Sequence, residues 1–231
     1  MDARAYTPRL KLKEKNMAKI YPSILSANLT SLGEQITAAC RGGADGLHID
    51  VMDGVYVSNL TFGPRTVSDI KNICDVPLSV HLEVLHPENY VTMFKNAGAD
   101  ELSFQLDASN NPIHLLKEIR EAGMRAGVGI GPAYGIDNLR YIFRHIDFII
   151  LMSVEPGYEK QTFEESVYEK LSELKALMRE YGVSLPVIID GGVDKAKAEK
   201  LISLGADGLI VGSRIFYSDD IECAVKEFKA I

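Results

Sequence analysis

Four residues of this 231-residue sequence have the types and spacing that hold a divalent metal. His48 and Asp50 stand two positions apart in Leu47-His48-Ile49-Asp50-Val51-Met52-Asp53-Gly54. In a strand, alternation puts the imidazole and the carboxylate on one face together with Met52, and Leu47, Ile49 and Val51 on the other. His81 follows in Ser79-Val80-His81-Leu82-Glu83, and Asp190 in Ile188-Ile189-Asp190-Gly191-Gly192. Singly, each has an ordinary structural reading, since a histidine at a strand end packs and an aspartate there caps the next helix. Together, at three strand ends, they form a mixed nitrogen and oxygen set suited to one divalent ion: zinc, iron, manganese or cobalt.

Two glycine-containing strand ends come late in the chain, Asp190-Gly191-Gly192 and Val211-Gly212-Ser213. Backbone amides and a helix N-terminus at such places bind anions, and barrels often hold phosphate after their seventh and eighth strands. The expected ligand is a phosphate ester, with a plain tight turn as the alternative for either pair. Met52 and Met152 end apolar runs, where a polarisable side chain serves either as a cushion beside a reacting carbon or as core packing.

The elements that position these residues show in the apolar pattern. Candidate strands are Ile20–Leu25, Leu47–Val51, Leu78–Leu82, Glu101–Leu106, Ala126–Ile130, Phe148–Ser153, Val187–Asp190 and Leu209–Gly212, alternating with longer amphipathic segments. A pentad recurs as Gly43-Ala44-Asp45-Gly46-Leu47, Gly98-Ala99-Asp100-Glu101-Leu102 and Gly205-Ala206-Asp207-Gly208-Leu209. The second begins 55 residues after the first and the third 107 after the second, about one and two multiples of a common step. The glycine suits the left-handed residue that ends a helix, and the aspartate turns the chain into the next strand. If one step spans two βα units, the chain holds eight. No GxGxxG follows the first strand, so a closed parallel (β/α)₈ TIM barrel is expected rather than an open doubly wound sheet.

One domain is expected over 19–231, preceded by a disordered leader over 1–18 whose first sixteen residues are basic and lack a signal-peptide core. A net charge of −7 argues against nucleic acid and anionic membrane as partners and leaves a small molecule. No apolar run is long enough to span a bilayer. Cys40, Cys74 and Cys223 are odd in number and scattered, which fits a reducing cytoplasm.

Several segments, in order, carry a resemblance: Pro22-Ser23-Ile24-Leu25-Ser26-Ala27, His48-Ile49-Asp50-Val51-Met52-Asp53-Gly54, Asn59-Leu60-Thr61-Phe62-Gly63-Pro64, Val80-His81-Leu82, Leu151-Met152-Ser153-Val154, Pro156-Gly157 and Asp190-Gly191-Gly192. From about Lys19 onward the chain resembles the ribulose-phosphate 3-epimerase family of ribulose-phosphate-binding barrels. The resemblance implies a 3-epimerase of D-ribulose 5-phosphate and D-xylulose 5-phosphate, assembled as a dimer or hexamer. It implies that His48, Asp50, His81 and Asp190 bind the metal and that Asp50 and Asp190 exchange the proton. It places Ser23, His81, Met52 and Met152 at the substrate, with Gly157, Gly191, Gly192, Gly212 and Ser213 around its phosphate.

The chain departs from that family at Glu83, where a methionine is usual, at Gln105, where a histidine is common, and at Ser58, where a proline is usual. Glu155-Pro156-Gly157-Tyr158-Glu159-Lys160-Gln161 has fewer glycines than the family's loop, while Lys160 and Arg214 add cations. These changes keep open a relative acting on allulose 6-phosphate or a tetrulose phosphate. A non-catalytic sugar-phosphate sensor is the alternative from another class, and a sensor has no need of two opposed carboxylates.

Overall fold

A computed structural model describes residues 17–158 and 161–231. The expected leader falls outside them except for Met17 and Ala18, and Ala18 is buried; Glu159 and Lys160 also lie outside.

Eight parallel strands follow one another around a barrel in the order β1-β8-β7-β6-β5-β4-β3-β2. They are β1 (Lys19–Pro22), β2 (Leu47–Met52), β3 (Leu78–Glu83), β4 (Glu101–Gln105), β5 (Arg125–Ile130), β6 (Phe148–Met152), β7 (Val187–Asp190) and β8 (Gly208–Val211). The helices are α1 (Leu32–Arg41), α2 (Pro64–Lys71), α3 (Val91–Ala97), α4 (Pro112–Glu121), α5 (Ser166–Glu180), α6 (Lys195–Ser203), α7 (Ser213–Phe216) and α8 (Ile221–Lys229). The architecture is the (β/α)₈ barrel expected. No helix among the described residues is long and apolar enough to cross a membrane.

Two connections differ from a plain alternation. The first strand stops at Pro22 instead of running to Leu25, because the Ser23 hydroxyl accepts from Leu25 N and caps a 3₁₀ turn over Ile24–Ser26. Between β5 and β6 two 3₁₀ turns, Asp137–Tyr141 and Phe143–His145, stand in place of an α-helix.

Each pentad closes one strand pair at the N-terminal end of the barrel. Gly43, Gly98 and Gly205 have φ of 91°, 95° and 101°, the left-handed region that favours glycine after a helix. Asp45 accepts from Ile20 N at 2.8 Å and from Lys229 at 2.7 Å; Asp100 accepts from Leu78 N at 2.8 Å and from Lys71 at 2.7 Å. Asp207 does the same with Val187 N at 3.0 Å and Lys175. The three pentads lead into β2, β4 and β8, so the repeat does step by pairs of βα units.

Strand alternation separates two interiors. Leu47, Ile49, Val80, Leu82, Leu102, Phe104, Val128, Leu151 and Ile189 join the large apolar core beneath the helices. Inside the barrel, Tyr21, Phe148, Ile150, Met152, Ile188 and Ile210 form a second apolar cluster. The inward positions of β2, β3 and β4 carry instead the buried polar set His48, Asp50, Ser79, His81, Glu83, Glu101, Ser103 and Gln105.

Candidate metal and active site

The seam between β1 and β2 builds one wall of the site. Ser23 and His48 form a parallel bridge there, and the Ser23 hydroxyl donates to Asp50 Oδ2 at 2.8 Å. Behind Asp50, Thr61 Oγ1 donates to its carbonyl at 2.6 Å and accepts from Met52 N at 3.0 Å, fastening the following loop to the strand. Asp53 gathers that loop as well, accepting from Val55 N, Tyr56 N and Leu85 N. Asp53 and Thr61 lie in segments singled out in the sequence, but no sequence feature marked them as organisers.

One potential ligand atom from each of His48, Asp50, His81 and Asp190 lies within 4.8 Å of every other. His48 Nε2 is 3.0 Å from Asp50 Oδ1 and 3.9 Å from Asp190 Oδ2, and His81 Nδ1 is 3.6 Å from Asp50 Oδ1. Ligand atoms around one ion with bonds of about 2.1 Å are themselves about 3.0–3.4 Å apart. His81 Nδ1 is fully buried and makes no hydrogen bond. Compact spacing, an orphaned buried nitrogen and the two-nitrogen, two-oxygen donor set all fit a divalent transition ion. At the far edge of the His81 ring, Gln105 Nε2 sits 3.2 Å from Nε2 and 2.7 Å from Met152 Sδ, fixing the plane of the imidazole. The position of Gln105 in the sequence gave no sign of that contact.

Burial pushes the Asp50 carboxyl up, but the charge and hydrogen bond of His48, and then the adjacent His81 ring, outweigh it and hold Asp50 below the usual carboxylate range. Asp190 goes the other way. Burial first and the Asp50 charge second push it up to about 7, against the pull of His48. For His81, burial favours the neutral ring that a metal ligand needs. Glu83 is held well above its ordinary value, by burial first and then by the charges of Asp50 and Asp190.

A cavity of about 680 Å³ opens above this cluster. Ser23, Asp50, Met52, Met152, Gly157, Asp190, Gly191, Gly192, Gly212 and Ser213 all line it, so the structure brings together these sequence-selected residues. His48 and His81 lie beneath, with no exposed surface. Gly191 has φ 107°, and a Cβ there would come within 2.5 Å of Val154 Cγ2, so the backbone at this end of β7 can approach only as glycine. Ser153 secures the same turn, its hydroxyl reaching the carbonyls of Asp190 and Gly191 at 2.8 and 2.5 Å. Gly157 is held through its carbonyl by Asn59 Nδ2 at 2.8 Å, and its N–H is turned to the Glu83 carboxyl. Arg214, on α7, is exposed at the rim of the cavity.

The sequence matches the family described as the ribulose-phosphate 3 epimerase family over residues 19–216. It is 40% identical over 214 residues to the chloroplastic ribulose-5-phosphate-3-epimerase of Arabidopsis thaliana, covering 91% of this chain and 76% of the relative. It is 39% identical to the ribulose-phosphate 3-epimerase of Bacillus subtilis, covering 92% of this chain and 99% of that one. The enzyme of that name from Escherichia coli is 37% identical over 91% of this chain and 94% of its own length. Among solved structures, a mutant tryptophan synthase alpha-subunit of Pyrococcus furiosus superposes with a TM-score of 0.69 at 15% identity, covering 94% of this chain and 98% of that one. Thiamine phosphate pyrophosphorylase of the same organism gives 0.64 at 19% identity, covering 94% and 96%, and these likenesses speak to the barrel alone. With the sequence match spanning nearly the whole barrel, the chain belongs to the ribulose-phosphate 3-epimerase family of isomerases.

Proposed function

We propose that this protein interconverts D-ribulose 5-phosphate and D-xylulose 5-phosphate by two-base proton transfer at carbon 3. One observation carries the reading: Asp50 and Asp190 share one buried cluster, yet their surroundings drive their acidities in opposite directions. Inverting a stereocentre requires a base on one face of the carbon and an acid on the other, and a carboxylate paired with a carboxylic acid meets that need.

Without metal, the surroundings of Asp50 favour its ionised form and those of Asp190 its protonated form. Asp50 removes the carbon-3 proton from one face, negative charge spreads over the substrate's oxygens as an enediolate, and Asp190 delivers its proton to the opposite face. The reverse reaction starts from the opposite protonation states. Ser23, donating to Asp50 Oδ2, keeps the carboxylate oriented during this exchange. A divalent ion held by His48, Asp50, His81 and Asp190 would supply Lewis-acid stabilisation of the developing charge. Met52 and Met152 bound the reacting carbon with apolar surface, and the glycine turns at Gly191, Gly192 and Gly212, with Gly157 and Ser213, receive the phosphate. The protein works as a homo-oligomer, dimer or hexamer, and its free cysteines suit the reducing cytoplasm.

Glu83 at the mouth favours one second reading, a 3-epimerase for another ketose phosphate such as allulose 6-phosphate or a tetrulose phosphate. Proton NMR in D₂O with D-ribulose 5-phosphate, with added zinc or manganese and a chelator control, tests the assignment. Metal-dependent deuterium incorporation at carbon 3 with formation of D-xylulose 5-phosphate is expected. A folded, metal-loaded protein that exchanges nothing would refute the pentulose assignment.

A further inference from the structure

Glu83 is a polar group at the barrel mouth that the proton transfer leaves unused. It ends β3 in register with Met52, is only 2% exposed and lies outside the four-ligand cluster. One side of its carboxyl faces the Gly157 N–H, while Oε2 is buried without a hydrogen-bond partner. The same side chain lines the cavity shared by Asp50 and Asp190. A buried carboxyl oxygen left unpaired opposes folding, so an orphan on a side chain that lines a ligand cavity points to a group that the ligand supplies.

Its place around the barrel indicates which group. In the strand order β3 and β7 are four apart in a ring of eight, hence across the mouth from one another. The phosphate turns stand at the ends of β7 and β8. A 2-ketose phosphate anchored there, with carbon 3 between Asp50 and Asp190, extends its phosphate-remote end towards β3. That end carries the hydroxyl on carbon 1.

We propose that Glu83 is a specificity-determining residue that pairs with the carbon-1 hydroxyl of the ketose phosphate through Oε2. The inference rests on the 3-epimerase reading. Because the same carboxyl faces the Gly157 N–H, and Asn59 holds the Gly157 carbonyl, the hydroxyl joins a chain of contacts that ties the loop over the cavity to β3. A ligand without that hydroxyl leaves the carboxyl unpaired, and sites built around a substrate hydroxyl reject analogues that lack it.

The test compares kcat/KM for epimerisation of D-xylulose 5-phosphate and 1-deoxy-D-xylulose 5-phosphate by the metal-loaded full-length protein. The variants are Glu83→Met, of similar volume, and Glu83→Gln, which keeps a hydrogen-bonding head. Wild type is expected to favour the hydroxylated substrate by roughly 10²-fold. Glu83→Met is expected to bring the ratio near unity, chiefly by losing activity on D-xylulose 5-phosphate, and Glu83→Gln to retain most of the preference. Equal rates with the two substrates in wild type overturn the role of Glu83 whether or not any variant folds. An undiminished preference in Glu83→Met overturns it too. Failure of wild type on D-xylulose 5-phosphate itself counts against the underlying pentulose reading, a separate result.

Discussion

Asp50 and Asp190 meet across the edge of a single imidazole, His48 Nε2 lying 3.0 Å from Asp50 Oδ1 and 3.9 Å from Asp190 Oδ2. The ring neutralises the nearer carboxylate far more than the farther one. Asp190 also projects from the apolar side of the barrel, between Met152 on β6 and Ile210 on β8 in register, whereas Asp50 has the Ser23 hydroxyl and two histidines around it. Two carboxyl groups in one cluster are therefore made unlike by their neighbours.

Replacing either carboxylate by its amide removes the base on one face of carbon 3. Asp50→Asn and Asp190→Asn are each expected to lower kcat by about 10²–10⁴-fold. A coupled assay for D-xylulose 5-phosphate, with circular dichroism to confirm folding, measures this, and near-normal turnover in either variant would contradict the two-base reading.

At the proposed metal site, metal and protons compete for the same atoms. In the metal-free protein Asp190 is raised from 3.8 to about 7, so its contribution to stability is fully present below about pH 4 and is lost as pH rises through about 7. His48 is also raised: burial lowers it, but the Asp50 charge and hydrogen bond and the Asp190 charge together outweigh burial, so it too gives up a proton to bind metal. The difference in Tm between metal-loaded and chelator-treated protein is therefore expected to widen from pH 5 to pH 8. Thermal scans across that range check it, and a constant gap would exclude proton release by these groups.

The pentad aspartates act at the other end of the barrel, away from the cavity. Asp100→Ala deprives Leu78 N of its acceptor and Lys71 of its partner, and is expected to cost about 1–3 kcal/mol in urea unfolding with kcat unchanged. A comparable loss of kcat would mean that the two ends of the barrel are not independent.

Arg214 stands exposed at the rim beside the proposed phosphate turns. Arg214→Ala is expected to raise KM about 10-fold with kcat little changed, the pattern of lost uniform binding. Steady-state kinetics at low and high salt measure it, and an unaltered KM would remove Arg214 from phosphate recognition.

Much of this was legible in the residues. Short apolar runs alternating with amphipathic segments, and the recurring Gly-Ala-Asp, gave the strand count, because both report backbone needs that are met locally. The four metal-cluster residues were legible because His and Asp at strand ends of a barrel converge at one mouth. What stayed hidden depends on contacts between distant segments. The Gly157 N–H turned to Glu83 and Gln105 against His81 join residues from separate βα units, and Thr61 bracing β2 depends on how the following loop folds back. Ser23 shows a local signal that misled: its place in an apolar run suggested more strand, whereas its hydroxyl ends the strand by capping.

The division of the barrel interior has a consequence for the life of the polypeptide. Among the described residues, every buried side-chain polar atom without a partner belongs to His48, His81, Glu83, Glu101 or Gln105, all on β2, β3 or β4. The opposite staves are filled with hydrocarbon and complete in themselves. A ligand that supplies partners to those atoms, binding the folded state alone, draws the chain away from unfolded forms. By that linkage, supply of the ligand would govern how often that half opens to proteases, and the abundance of the protein would follow the availability of what it binds.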